Sequence, residues 1–219
     1  MDHALVEQLV HGIEGKDMST AAHTWRVVLY TRAMAEAAGL GASAMRELTH
    51  AAALHDVGKL DIPREILTKP APLTPEEFEV IKQHPVTGFA RMIKLDVEDP
   101  LILDLIRFHH ERWDGKGYPY GYAGEQIPAA ARFFAVIDSF DAMTSVRPYR
   151  HEVGQEAAKN AIIEIKAGAG TRYAPDAVAL FCEMFDGGRF DWILNYFNDA
   201  CEVPKYAEVE RVHRSFSRR

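Results

Sequence analysis

In this 219-residue chain, His23, His55, Asp56, His84, His109, His110 and Asp138 stand out because their chemistry does not suit the apolar faces that carry them. His55 and Asp56 follow an alanine-rich run in AAALHDVGK, His84 lies in IKQHP, His109 and His110 end LIRFHH, and Asp138 interrupts FFAVIDSFDA. A buried carboxylate is costly unless it is paired or bound to a metal. One histidine on an apolar face is more often a satisfied core group than a ligand. This many, each near a helix end or on an apolar face, point to a metal site built by side chains converging in a bundle core. Neighbouring helical residues point about 100° apart, so His109 and His110 suit a metal gripped from one helix better than a single packing contact.

Imidazole and carboxylate together suit iron, manganese, zinc, nickel or cobalt. No cysteine lies near them, which argues against an iron–sulfur cluster or a structural zinc knot. The donors exceed what one tetrahedral ion takes, and two ions about 3.5–4 Å apart, bridged by a carboxylate, would use them. Such a pair lowers the pKa of a bridging water and steadies charge on a phosphoryl group, so the expected chemistry is hydrolysis of a phosphate ester.

The elements that must position these groups read as helices, because apolar residues recur mostly at helical spacing and alternating β-branched runs are scarce. AAHTWRVVLYTRAMAEAAG predicts a helix closed by Gly39, and SAMRELTHAAALHDVG another closed by Gly58. TPEEFEVIKQH predicts a helix with Thr74 as N-cap, and DPLILDLIRFHHE opens similarly with Asp99 and Pro100. AAARFFAVIDSFDAMTSV, GQEAAKNAIIEIKAG and APDAVALFCEMF complete an all-α bundle. The final stretch, FDWILNYFNDACEVPKYAEVERVHRSFSRR, has an aromatic start suited to packing on the bundle and a basic end expected to fray. An oligomer contact is the sharper alternative for it.

A formal net charge of −7 argues against DNA or an anionic membrane as partner. Cys182 and Cys201 lie outside any CxxC and read as idle thiols of a reducing compartment. The N-terminal stretch lacks a signal-peptide core, and no apolar run approaches the ~20 residues of a membrane span. The expected setting is cytoplasmic and soluble.

Two segments resemble a known family. HDVGK at 55–59 resembles the HDxGK signature of the HD phosphohydrolase superfamily. HHERWDGKGYP at 109–119 resembles the HHExxDGxGYP signature of its HD-GYP branch, the cyclic di-GMP phosphodiesterases. IPREILTKPAPLTPEE, IKQHPVTG and GEQIPAAARFFAVIDSFDAMTSVRPYR are similar to the family in order and spacing, and the resemblance spans residues 14–186. It implies a catalytic domain over 1–186 and a helical extension over 187–219.

The resemblance further implies an HD-type bundle with two or three metal ions, often iron or manganese, that opens cyclic di-GMP by in-line attack of a bridging hydroxide. Carried across, it makes the seven outlying residues metal ligands, with Asp56 bridging. His23, His55 and Asp138 are then expected mainly on one ion, and His84, His109 and His110 on the other. Lys59 is expected to meet a phosphate oxygen or assist the leaving group. Tyr118 offers a ring for guanine or a hydroxyl for phosphate, Gly117 lets the loop fold tightly, and Pro119 stiffens the turn. Glu111 and Asp114 are expected to orient ligands or tie down the loop. Arg147 and Arg150 are expected to contact substrate. Asp141 and Arg26, each one turn beyond a ligand, are left open between positioning and capping.

Two departures from the family pattern matter. Trinuclear members carry a glutamate four residues before the first ligand histidine, where this chain has Ser19. A hydroxyl replaces a carboxylate poorly on a dication, so two ions are expected, with linear pGpG as product and GMP slow or absent. Ala174 stands where an aspartate usually precedes the proline, and only a helix cap is expected to change. The competing functions are a degenerate module that senses cyclic di-GMP or docks a diguanylate cyclase, and a phosphodiesterase for cyclic GMP-AMP or another nucleotide. A homodimer is a further expected assembly, whereas a single-metal nucleotidase would leave His84, His109 and His110 unexplained.

Overall fold

A computed structural model describes residues 1–16, 19–145 and 155–196; the side chains of 19–21, 155 and 195–196 also fall outside that description. The described chain runs through α1 (His3–Lys16), α2 (Ser19–Ala37), α3 (Ala42–Leu54), α4 (Arg64–Leu67), α5 (Pro75–Ile81) and α6 (His84–Lys94). It continues through α7 (Pro100–Phe108), α8 (Ala129–Thr144), α9 (Gln155–Ala167), α10 (Pro175–Asp186) and α11 (Asp191–Tyr196). Short 3-10 turns occupy Val57–Asp61 and Gly124–Gln126, and no strand occurs among the described residues. The all-α bundle expected from periodicity is the fold observed.

The centre is α3, which packs against both α2 and α7. Its last turns carry Ala51, Ala52 and Ala53, all buried, and these small side chains let the neighbouring helices come close. Around it, α8 packs on α2 and α7, so Phe134 and Phe140 share a core with Trp25, Tyr30 and Leu105. On the other flank, α6 packs on the 3-10 turn that follows α3. No helix among the described residues is long and apolar enough to cross a membrane.

Local sequence explains the element ends. Thr74 caps α5 through a reciprocal pair, accepting from Glu77 N at 3.3 Å while Glu77 Oε2 accepts from Thr74 N at 2.7 Å. Such a cap contributes about 1 kcal/mol. Asp99 Oδ1 accepts from Leu101 N at 2.9 Å to cap α7, with Pro100 in its first turn. Gly39 ends α2 in the left-handed region, at φ 71°. Ala174 precedes α10 without a side-chain cap.

Three helix ends differ from the sequence expectation. α3 stops at Leu54, and Gly58 lies inside the 3-10 turn rather than closing the helix. α5 ends at Ile81, short of the His84 that the TPEEFEVIKQH helix was expected to reach, and a separate helix, α6, begins at His84. α7 ends at Phe108, so His109 and His110 sit just past it. In each case the break turns a histidine inward. At the other end of the chain, Phe190 and Ile193 are fully buried, and the Phe190 ring meets Tyr30 at 5.1 Å.

Candidate metal centre

The broken helices and the histidines belong to one device. The last carbonyls of a helix lack intrahelical donors, and His55, His84 and His109 each follow a helix end by one to three residues. His55 Nδ1 lies 2.8 Å from Ala52 O, His84 Nδ1 2.8 Å from Ile81 O, and His109 Nδ1 2.9 Å from Ile106 O. A carbonyl only accepts, so each Nδ1 carries the proton and each Nε2 is left with a bare lone pair. His23, from α2, is oriented differently: its Nδ1 lies 2.8 Å from Asp141 Oδ2 on α8. There too Nε2 is the free atom.

These Nε2 atoms face one another in pairs. His23 and His55 bring theirs to 3.3 Å, and His84 and His109 to 3.2 Å. Two unprotonated nitrogens at that distance repel unless a cation lies between or beside them, so the donor set fits a metal. Asp56, 3% exposed, stands between the pairs. Its Oδ2 lies 3.2 Å from His55 Nε2, and its Oδ1 lies 3.3 Å from His84 Nε2. Donor atoms of His23, His55 and Asp56 fall within 4.8 Å of one another, as do those of His84, His109 and His110. Asp138 brings Oδ1 to 3.5 Å from His23 Nε2, at the edge of the first group.

Protonation follows from burial and these contacts. Burial pushes His84 down to about 4 and His110 to about 3, and holds His109 well below the usual imidazole range. Burial alone would raise the Asp56 carboxyl, but His55, Lys59 and His84 outweigh it and hold Asp56 well below the carboxylate range. Burial would likewise lower His55, yet Asp56 beside it raises it instead. Neutral His84, His109 and His110 beside an ionised aspartate are the protonation states a metal requires, and a cation bound at Asp56 would take the place of the His55 proton.

Other expected site residues take definite places. Lys59 Nζ sits 2.6 Å from Asp56 Oδ2. Glu111, buried, accepts from the backbone N–H of Tyr120 at 2.7 Å and of Tyr122 at 3.1 Å, so it ties down the loop and orients no histidine. Asp114 receives both arms of Arg112, at 3.0 and 2.7 Å, and serves the same loop. Tyr118 folds back so that its N–H reaches His110 O at 3.2 Å, and its ring stacks on His110 at 4.7 Å between centroids. The Tyr118–Pro119 peptide is cis. A Cβ on Gly117 would run into Arg112 N and lie 2.6 Å from His110 O, so only glycine lets this loop close over the histidines. Arg147 and Arg150 lie outside the described residues, as does the Ser19 side chain.

Asp141 and Arg26, undecided from sequence, are in contact with each other, and Asp141 also meets His23. Arg26 Nε donates to Asp141 Oδ1 at 2.6 Å, and an Arg26 terminal nitrogen reaches Oδ2 at 3.1 Å and Ser145 Oγ at 2.6 Å. Burial would raise the Asp141 carboxyl, but Arg26 and His23 hold it at about 2. An ionised aspartate therefore orients His23, itself fixed by an arginine. Ser145 gave no sequence signal, since a serine after a helix is ordinary. Beyond His109, His110 and Asp138 the site opens into a cleft of about 450 Å³, whose outer lining includes Phe78, Lys82, Arg112, Lys116 and Arg172. Sequence reasoning assigned these five no role.

A helical bundle that turns helix-end histidines around one buried aspartate has the architecture of an HD domain. The chain belongs to the HD domain family, whose model matches residues 11–177. It is 41% identical over 174 residues to a cyclic di-GMP phosphodiesterase of Thermotoga maritima, covering 78% of this chain and 46% of that protein. It is 33% identical over 189 residues to the 3'3'-cGAMP-specific phosphodiesterase 2 of Vibrio cholerae, covering 83% of this chain and 34% of that one. The chain thus spans less than half the length of these curated relatives. The fold also matches the crystal structure of a cyclic GMP-AMP-specific phosphodiesterase of V. cholerae, with a TM-score of 0.65 and 17% identity over 95% of this chain and 53% of the other.

Proposed function

We propose that the chain is a metal-dependent phosphodiesterase that opens cyclic di-GMP to linear pGpG. The observation that carries this reading is Asp56, whose two oxygens each face a different group of buried imidazoles. His23, His55, Asp56 and Asp138 would hold one ion, and Asp56, His84, His109 and His110 the other, with iron or manganese favoured. When bound, two such ions supply electrophilic stabilisation of phosphoryl charge and a nucleophilic water at neutral pH.

The chain's own groups do the rest. Lys59 keeps a positive charge beside Asp56, where it meets a phosphate oxygen or the departing 3′ oxygen. Tyr118 covers His110 and keeps water from that face, with Glu111 and Gly117 fixing the loop that carries it. Arg147 and Arg150 supply donors for phosphate or guanine. The similarity to a cGAMP-specific relative supports a second reading with the same chemistry, in which one guanine is replaced by adenine.

The test is anaerobic purification with metal quantification, then incubation with cyclic di-GMP and chromatography of products. About two ions per chain and accumulation of pGpG are expected. Turnover of cyclic GMP-AMP alone would move the substrate to the second reading. A chain with neither metal nor turnover would be a binding module. Ser19→Glu tests the nuclearity: a third ion and GMP as end product are expected, and unchanged stoichiometry would remove Ser19 from the argument.

The Asp141 contact carries its own prediction. Asp141→Asn preserves shape but withdraws the charge that orients His23 and pairs with Arg26. Metal affinity is expected to fall about 10–100-fold, read by competition with a chromophoric chelator. An affinity within twofold of the parent would make Asp141 a structural partner of Arg26 only.

A further inference from the structure

The outer cleft is positively charged in a chain whose net charge is −7. Its lining includes Lys82, Arg112, Lys116 and Arg172, against the acids Glu111 and Asp138. Both acids are committed, Glu111 to the backbone of Tyr120 and Tyr122, and Asp138 beside His23. Arg112 is committed as well, through its two bonds to Asp114. Of the other three cations, Arg172 and Lys82 are held by exposed acids, Lys82 also stands over the Phe78 ring with its Nζ 5.5 Å from the ring centre, and Lys116 faces solvent. Arg172 meets Glu164 at 3.7 Å with both side chains half exposed, Lys82 pairs with the exposed Glu79, and Lys116 is exposed. Surface pairs of this kind contribute little and exchange readily for a better anion.

Arg172 reaches this cleft because its loop is fastened to the signature loop. Trp113 N donates to Arg172 O at 3.3 Å, and Asp114 N to Thr171 O at 2.8 Å. Gly168 packs so closely on Tyr173 that a Cβ there would lie 2.8 Å from its ring. Two segments far apart in sequence thus form one wall. The opposite wall is α5, where Phe78 is 44% exposed and sets its ring edge-on to Tyr118 at 6.4 Å between centroids. A large aromatic left in solvent beside cations is what a nucleotide's base and phosphate require together.

Building on the phosphodiesterase reading, we infer that the outer cleft is a half-site for the non-reacting nucleotide of a cyclic dinucleotide. Lys116, Arg172 and Lys82 take its phosphate, and the half-exposed Phe78 ring, whose centre lies 5.5 Å from Lys82 Nζ, takes its base. The half-site makes the chain select dinucleotides over diesters with a single phosphate.

The experiment compares the metal-loaded parent with the Lys116→Gln/Arg172→Gln double variant and with Phe78→Ala. Cyclic di-GMP affinity is measured by calorimetry, and bis(p-nitrophenyl) phosphate, which carries one phosphate, reports the metal centre. The double variant is expected to bind cyclic di-GMP at least about tenfold more weakly, and Phe78→Ala about tenfold more weakly. Each loss should exceed any loss of kcat/KM on the single-phosphate diester by fivefold or more, about the smallest ratio that separates a local effect from scatter. An unchanged affinity, or equal losses on both ligands, overturns the half-site. A parent that binds cyclic di-GMP through these residues but hydrolyses neither compound keeps the half-site and loses the phosphodiesterase reading. A parent that does not bind cyclic di-GMP overturns both.

Discussion

Replacing Asp56 by asparagine is expected to lower cyclic dinucleotide hydrolysis by at least about a thousandfold and to strip most of the bound metal. Asparagine has nearly the same volume, so packing is preserved and the loss isolates the charge. In the native site that charge holds His55 above its usual pKa against the effect of burial, and pairs with Lys59 at 2.6 Å. Asparagine offers one weak acceptor oxygen where two ionised oxygens each faced a separate imidazole group. The His23–His55 and His84–His109 pairs then have no anion between them, and a dication loses its strongest attraction. Metal content by plasma emission and kcat on cyclic di-GMP check this together. Retention of activity within tenfold would place the chemistry away from Asp56.

The metal-ligand candidates were legible because chemical outliers on an apolar background are visible without coordinates. Helix type was legible for the same reason: burial imposes a period. Helix ends were not, and here they matter most. His55, His84 and His109 face inward because α3, α5 and α7 stop short of them and leave carbonyls for their Nδ1 protons. A run such as TPEEFEVIKQHPVTG has no glycine at its break, and Pro85 permits either continuation from a first turn or a fresh start. The roles of Asp141 and Arg26 depended on a contact across 115 residues, which spacing along one helix cannot reveal. The cleft cations were missed for a related reason. Each is an ordinary charge on its own element: the fastening of residues 171–172 onto 113–114 brings Arg172 to the loop of Arg112 and Lys116, and Lys82 joins them from the end of α5.

Gly58→Ala is expected to be the most damaging single methyl in the molecule, lowering stability by about 3 kcal/mol or more. Sequence suggested a helix-closing glycine, a position where alanine costs little more than its backbone preference. The structure puts Gly58 at the crossing of the 3-10 turn and α6. A Cβ there would overlap the His84 carbonyl oxygen, and would lie 2.6 Å from Gly88 N and 2.7 Å from His84 C. All three obstacles are backbone, so no rotamer change relieves them. Gly88 faces the same crossing, where a Cβ would come within 3.1 Å of Gly58 N and of Ile106 Cγ2. The two glycines let α6 approach closely enough for His84 Nε2 to stand 3.3 Å from Asp56 Oδ1. Accommodating the methyl requires α6 to move outward, which takes His84 from Asp56 and weakens metal binding with stability. For a chain of this size the melting temperature should fall by about 10 °C. Gly15→Ala is the control: nothing lies within 4 Å of a Cβ there, so the substitution should leave the fold unharmed and favour α1 by up to about 1 kcal/mol. If Gly58→Ala melts with the parent and binds metal equally well, the close crossing is not what sets the distance between His84 and Asp56.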